Sequence, residues 1–326
     1  MASIFDPFKR AIRNLLGTDA VLRQLRQLDH RRQRDLILLG NAIQHAAADP
    51  ADVRALPEYA RAAGVAKLLQ ACRVEGVPMV RIGGEVDGGY VMLDTPRPPA
   101  VTAAYSFGVG HDVSWDVAMA KQGIDLFLYD HTVERLPEPV PRAKFFRTGI
   151  RGRKPESGQK TVAEVLADNG HTGRRDLVLK MDIEGAEWPV LDEVSSETLM
   201  SFAQIVVEFH GMAKALEPEG NARVVKTLEK LAVTHQPIHV HGNCNAMPVW
   251  IGDLVLPHVI EVSYVRRADY AGKFVPRDEV FPTDLDRSNS DQLPDIYLGR
   301  TYSRPRSGCS GGIVGWNRPT DRGVEK

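Results

Sequence analysis

From residue 80 onward, apolar positions come in short blocks separated by glycine turns and amphipathic stretches, and their order predicts alternating strands and helices. The blocks at 100–107 (AVTAAYSF) and 124–130 (IDLFLYD) read as strands flanking a helix over Val113–Gln122. A third strand is expected at 143–150 (AKFFRTGI). Thr161 then opens a helix with Glu164 three residues on, the spacing of a capping box. The run Leu177 to Lys180 supplies a fourth strand and 205–211 (IVVEFHG) a fifth. An amphipathic helix over 221–235 and strands over 237–245 and 256–267 follow. Strands at this spacing with intervening helices spell an α/β fold around a parallel, doubly wound sheet. Ahead of it, Gly83-Gly84 and Gly88-Gly89 bracket Asp87 between apolar runs in 80–94, a hairpin whose tight turn exposes a carboxylate.

Three regions follow from texture. Residues 1–75 carry helical spacing, with Ile4, Phe5, Phe8, Ile12, Leu15 and Leu16 on one face and Lys9, Arg10 and Arg13 between them. A last helix of this region is expected over Pro57–Cys72. These helices suit packing on their own domain or a homo-oligomer contact, and otherwise a membrane surface or partner. Residues 76–298 form the main domain, and 299–326, rich in Ser, Gly and Arg, read as a loose tail.

Composition narrows the partners. Lys+Arg 41 against Asp+Glu 42 leaves a net charge of −1, so nothing draws the chain as a whole toward nucleic acid. Cys72, Cys244 and Cys309 lie far apart without a CxxC pair, which fits neither a disulfide framework nor structural zinc. No run approaches the roughly 18 apolar residues of a membrane span. The expectation is a cytoplasmic protein.

The chemistry gathers at strand ends. Gly108-Val109-Gly110 follows one strand and Asp130 ends the next, an arrangement in which backbone approaches a ligand closely and an acid accepts from ribose hydroxyls. Val113 stands where a dinucleotide fingerprint would place its third glycine. That argues against an NAD(P)-linked oxidoreductase and leaves room for S-adenosylmethionine. Asp182, Glu184 and Glu187 crowd around Gly185 after the fourth strand, and Glu208 and His210 end the fifth. Glu184 and Glu187 suit the first turn of a helix, where acids are favoured. His239 and His241 alternate on a later strand, with His239 read as a core residue.

In this order and at these spacings, YSFGVGHDVSWD, LFLYDHT, LKMDIEGAEWPVL and VVEFHG resemble the FkbM-type S-adenosylmethionine-dependent methyltransferases. The DGGYV hairpin and the HGNCN turn add to the likeness, which covers roughly residues 80–298. The resemblance implies a Rossmann-like class I methyltransferase fold and methyl transfer to an oxygen of a sugar, glycan or natural-product-like acceptor. By position, Phe107, Gly108 and Gly110 would line the methionine moiety and Asp130 would take the ribose. Asp182 would lie at the reacting centre. Family loops often carry an acid before the first glycine, and here Ser106 and Phe107 stand there. Asp87 or Asp182 would then meet the cofactor's amino group. An acceptor hydroxyl needs a base, for which Asp182, His210 and His241 are candidates. The alternative is a divalent metal such as Mg²⁺ held by Asp182, Glu208 and His210. A different class of reading is a scaffold that keeps a degenerate methyltransferase fold for partner binding.

Overall fold

The computed structural model describes residues 50–94, 101–152 and 158–303. The amphipathic pattern expected before residue 50 and most of the expected tail lie outside the described residues.

A seven-stranded sheet organises the chain. Its strands are β1 (Ala103–Phe107), β2 (Asp125–Tyr129), β3 (Ala143–Phe146), β4 (Leu177–Met181), β5 (Phe202–His210), β6 (His235–Gly242) and β7 (Val259–Arg266). The spatial order is β6-β7-β5-β4-β1-β2-β3. Neighbours from β3 through β5 are parallel, while β7 runs antiparallel to both β5 and β6. The sheet is therefore mostly parallel in a mixed α/β protein. Its strands carry the continuous apolar runs of strands covered on both faces: all five residues of β1 and of β4 are buried.

Alternation along the strands sorts the core. Tyr105, Phe107, Leu179, Ile205 and Val207 join one apolar cluster with α1 (Pro57–Leu68), α3 (Val162–Asp168), α4 (Glu187–Glu193) and α5 (Pro218–Thr234). Ala104, Leu126, Leu128, Val178 and Val206 point the other way. They pack with Trp115 and Met119 of α2 (Ser114–Lys121) and with Ile82, Tyr90 and Met92 of the hairpin Met79–Ile82/Tyr90–Leu93. The capping box forms as expected: Glu164 N donates to Thr161 Oγ1 and Thr161 N to Glu164 Oε2.

Two expectations need correction. The helix begun at Pro57 ends at Leu68, not Cys72. Cys72–Val74 alternates buried, exposed, buried and pairs antiparallel with Phe274–Pro276, a long-range partner that outweighs local helical spacing. The strand expected over 143–150 breaks after Phe146, and Gly149–Ile150 instead pairs with Gln159–Lys160.

Candidate active site

Parallel strands place their carboxyl ends on one edge of the sheet, so the loops after β1, β2, β4 and β5 converge there. The glycine loop comes first. Gly108 has φ +78° and packs so closely that a Cβ on it would lie 1.5 Å from the backbone oxygen of Asp182. Only glycine satisfies both conditions. The loop is tied from beneath: Lys180 Nζ donates to Gly108 O at 2.8 Å and Gly108 N to Tyr129 O at 3.0 Å. Lys180 is buried, and sequence reasoning gave it no role beyond its place in the motif.

Asp130 stands at the end of β2 as expected, and its carboxylate is heavily used. Oδ2 accepts from Val109 N and Gly110 N, both at 2.9 Å. Oδ1 accepts from Thr132 N at 2.7 Å and Thr132 Oγ1 at 2.6 Å. Burial opposes its charge, but the hydrogen bonds from Gly110, Thr132 and Val109 prevail and hold its pKa below the ordinary value. Asp130 thus fastens the glycine loop. Phe107, expected against the methionine moiety, is fully buried among Tyr105, Tyr129 and the rest of the first cluster; its backbone oxygen accepts from Asp182 N at 2.9 Å. Its register on β1 explains this, since Ala103 and Tyr105 face the same side.

A cavity of about 390 Å³ lies over these loops, bounded by Gly108–Asp112, Tyr129–Thr132, Gly149–Arg151, the Asp87 hairpin tip, Lys180 and Asp182–Glu184. That volume falls in the range of small-molecule sites. The hairpin closes one side: Ser114 Oγ donates to Gly88 O at 3.2 Å, and a Cβ on Gly88 would strike the Asp112 carboxylate. Asp87 at the tip is exposed, as the DGG turn implied.

The acidic turn after β4 forms the far wall. Asp182 lines the cavity, and burial raises its pKa to about 6 against the favourable charges of Lys180 and His210. Glu184 adopts φ +55°, an uncommon conformation for a non-glycine residue, and its side chain is exposed. Glu187, expected only to charge the first turn of a helix, does open α4 but is completely buried. Its Oε1 accepts from Ile183 N at 2.9 Å, Gly185 N at 3.1 Å and His210 Nδ1 at 3.1 Å. His210 Nε2 lies 3.3 Å from Glu184 Oε2 and 3.9 Å from both Asp182 Oδ1 and Glu208 Oε1. Burial disfavours the imidazolium, yet Glu187 and the neighbouring carboxylates raise its pKa. Trp188 is core, stacked on Phe209, and its Nε1 donates to His210 O at 2.7 Å.

Glu208 sits behind this wall, its pKa pushed well above the usual carboxylate range by burial and by Asp182, Glu261 and Asp87. Asn243 Nδ2, from the HGNCN turn, donates to it at 2.7 Å. Asp182, Glu208 and His210 can bring ligand atoms within 4.8 Å of one another. His241 is brought near but is enclosed: its Nδ1 meets Glu261 at 3.2 Å and its Nε2 meets Asp295 at 2.9 Å, outside the cavity lining. His239 is buried against Asp286 at 2.7 Å, as its core reading expected. Sequence reasoning missed Glu261, Asn289 and Asp295, which lie far from the motif. Asn289 Nδ2 bridges Glu261 at 2.6 Å and Asp87 at 3.2 Å.

Comparison with known proteins agrees with the motif. The human "Probable methyltransferase-like protein 24" is 26% identical over 118 residues, and its rat counterpart 27% over 119. Each alignment covers 32% of this chain and 32% of the relative, so the chain spans about a third of the length of these relatives. Among solved structures, "Putative hemolysin from Streptococcus thermophilus" aligns with TM-score 0.30 and 9% identity, covering 55% of this chain and 72% of that one. Residues 94–233 match the methyltransferase FkbM domain, and this segment contains the glycine loop, Asp130, the acidic turn and His210.

Proposed function

We propose that this protein is an S-adenosylmethionine-dependent O-methyltransferase acting on a hydroxyl of a sugar, glycan or natural-product-like small molecule. The observation that carries the reading is the contact between Gly108 and the Asp182 backbone, which sets a glycine loop and a cavity-facing carboxylate side by side. The order β3-β2-β1-β4-β5-β7-β6, with antiparallel β7, supports a Rossmann-like, doubly wound framework of the class I methyltransferase type. The space beside Gly108, which lines the cavity, suits the methionine part of the cofactor. Asp87 and Asp182 face the cavity where its amino group would be met. A ribose hydroxyl would reach Asp130 only by competing with Thr132 for Oδ1.

When bound, S-adenosylmethionine supplies an activated methyl group, whose carbon–sulfur bond breaks as the acceptor oxygen attacks. The residues align that attack and receive the proton. Asp182 is placed to take it, since it lines the cavity and its pKa of about 6 makes it a stronger base than an ordinary carboxylate while leaving it ionised at neutral pH. His210 stands behind Asp182 and supports its charge. His241, locked between two acids, is a less direct candidate. The convergence of Asp182, Glu208 and His210 also suits Mg²⁺, and a chelator decides: turnover insensitive to chelation keeps the proton with Asp182, whereas loss restored by Mg²⁺ assigns activation to the metal.

Calorimetric titration with S-adenosylmethionine and with its demethylated product is expected to give saturable binding and an upward thermal shift. Asp130→Ala, which frees Val109 and Gly110 from their staple, should weaken binding roughly 10–100-fold, about 1.4–2.8 kcal/mol, with the fold intact. No heat and no thermal shift with either ligand would reject the reading. For the acceptor, a screen of glycans and hydroxylated metabolites reads demethylated cofactor; turnover confined to amines or carboxylates would remove the O-methyl assignment.

A further inference from the structure

We infer that Glu187 is a positioning residue whose carboxylate holds the Nδ1 edge of His210 and thereby presents the Nε2 edge of that ring to Asp182. The use of the ring rests on the methyl-transfer reading above, but the geometry stands apart from it. An acid that merely charged the first turn of α4 could remain in water, where such placement is favourable. Glu187 is instead completely buried, and burying a carboxylate is costly unless hydrogen bonds compensate. Its partners therefore indicate what it does. Two backbone donors of its own turn, Ile183 N and Gly185 N, fix Oε1, and the third contact to the same oxygen crosses to the adjacent strand and ends on His210 Nδ1. The next residue completes the grip, because Trp188 Nε1 holds the backbone oxygen of His210 at 2.7 Å. Consecutive residues of α4 thus secure the ring and the main chain of one histidine.

An acid on one imidazole nitrogen sets which nitrogen carries the proton, and so what the other can do. With the proton on Nδ1, a neutral His210 keeps its lone pair on Nε2, the atom that faces Asp182, Glu184 and Glu208. The spacing E-G-A-E then has a reason. Glu184 and Gly185 turn the chain with positive φ, and that turn returns Glu187 beneath the β4 end, within reach of the β5 end.

The test uses the full chain labelled with ¹⁵N-histidine, with His210→Ala to assign the ring signals, and S-adenosylhomocysteine as the binding probe. At alkaline pH, where the ring is neutral, wild-type His210 should carry its proton on Nδ1, in a strong hydrogen bond. In Glu187→Gln, whose amide oxygen can still accept from Ile183, Gly185 and His210 Nδ1 but without the charge that strengthens the last bond, that bond should weaken and the signal should shift toward the other tautomer. Affinity for the probe should stay within about twofold. With an acceptor from the screen, Glu187→Gln should lower kcat roughly 10–100-fold with little change in KM for the methyl donor, and less than twofold further when placed on His210→Ala. A wild-type proton on Nε2, an unchanged His210 signal in folded Glu187→Gln, or full additivity with His210→Ala would overturn the inference. Failure of the wild type to bind the probe would instead reject the methyltransferase reading, leaving the tautomer to judge Glu187 by itself.

Discussion

Replacing Gly108 by alanine is expected to abolish detectable binding of S-adenosylmethionine and to lower thermal stability markedly. The added Cβ would meet the Asp182 backbone oxygen at 1.5 Å, and backbone cannot swing aside as the end of a long side chain can. The φ of +78° adds strain of about 1–3 kcal/mol for a residue with a side chain. Overpacking of this kind costs a further 1–3 kcal/mol or so. Together these correspond to a fall in melting temperature of roughly 4–24 °C for a domain of this size. The movement that relieves the clash must separate β1 from the turn after β4, opening the wall between glycine loop and acid. Gly110→Ala supplies the comparison: its φ is +57°, yet no atom lies within 4 Å of the added Cβ, so only backbone strain is expected and binding should fall far less. Equal behaviour of the two variants in calorimetry and thermal melting would show that the contact does not govern the site.

The residues that sequence could place are those whose signal is local. Thr161 and Glu164 stand three apart and form the capping box that spacing announces. The apolar runs of β1, β2, β4 and β5 are strands, and the acids after them fall on one edge because parallel strands share a direction. The insertion of antiparallel β7 between β5 and β6 had no local mark, since a strand buried on both faces looks the same in either direction. Phe107 illustrates a readable signal left unused. Alternation along β1 puts it with Ala103 and Tyr105 on the helix-covered side, although its place beside Gly108 suggested the cofactor. Asp295, Asn289 and Glu261 were beyond reach for a different reason. Their contacts with His241 and Asp87 join positions 20 to 202 residues apart, and no period or turn rule connects them.

Asp182→Asn is expected to remove methyl transfer while making the protein more stable at neutral pH, and the two effects have one cause. Burial raises the Asp182 pKa from 3.8 to about 6, so its ionised form is less favourable in the folded protein than in the unfolded chain. Between those pH values the folded state binds the extra proton, and folding stability falls as pH rises through the interval. Above about pH 6 the full penalty is present. A neutral amide of the same shape carries no such penalty, so the variant should gain on the order of 1–3 kcal/mol at pH 7–8. That is a rise of roughly 2–12 °C in melting temperature, and the advantage should shrink as pH falls and vanish below 3.8, where the wild-type acid is protonated in both states. Loss of the proposed base should lower turnover about 10²–10⁴-fold, while S-adenosylmethionine binding weakens only by the share of its amino group that the Asp182 carboxylate would meet, because the Gly108 contact uses the backbone of residue 182. Thermal melts of both proteins from pH 4 to 8, with turnover and binding at pH 7.5, separate the contributions. A variant no more stable than wild type at pH 8, or one that keeps full turnover, would show that the buried charge of Asp182 is not what the site retains it for.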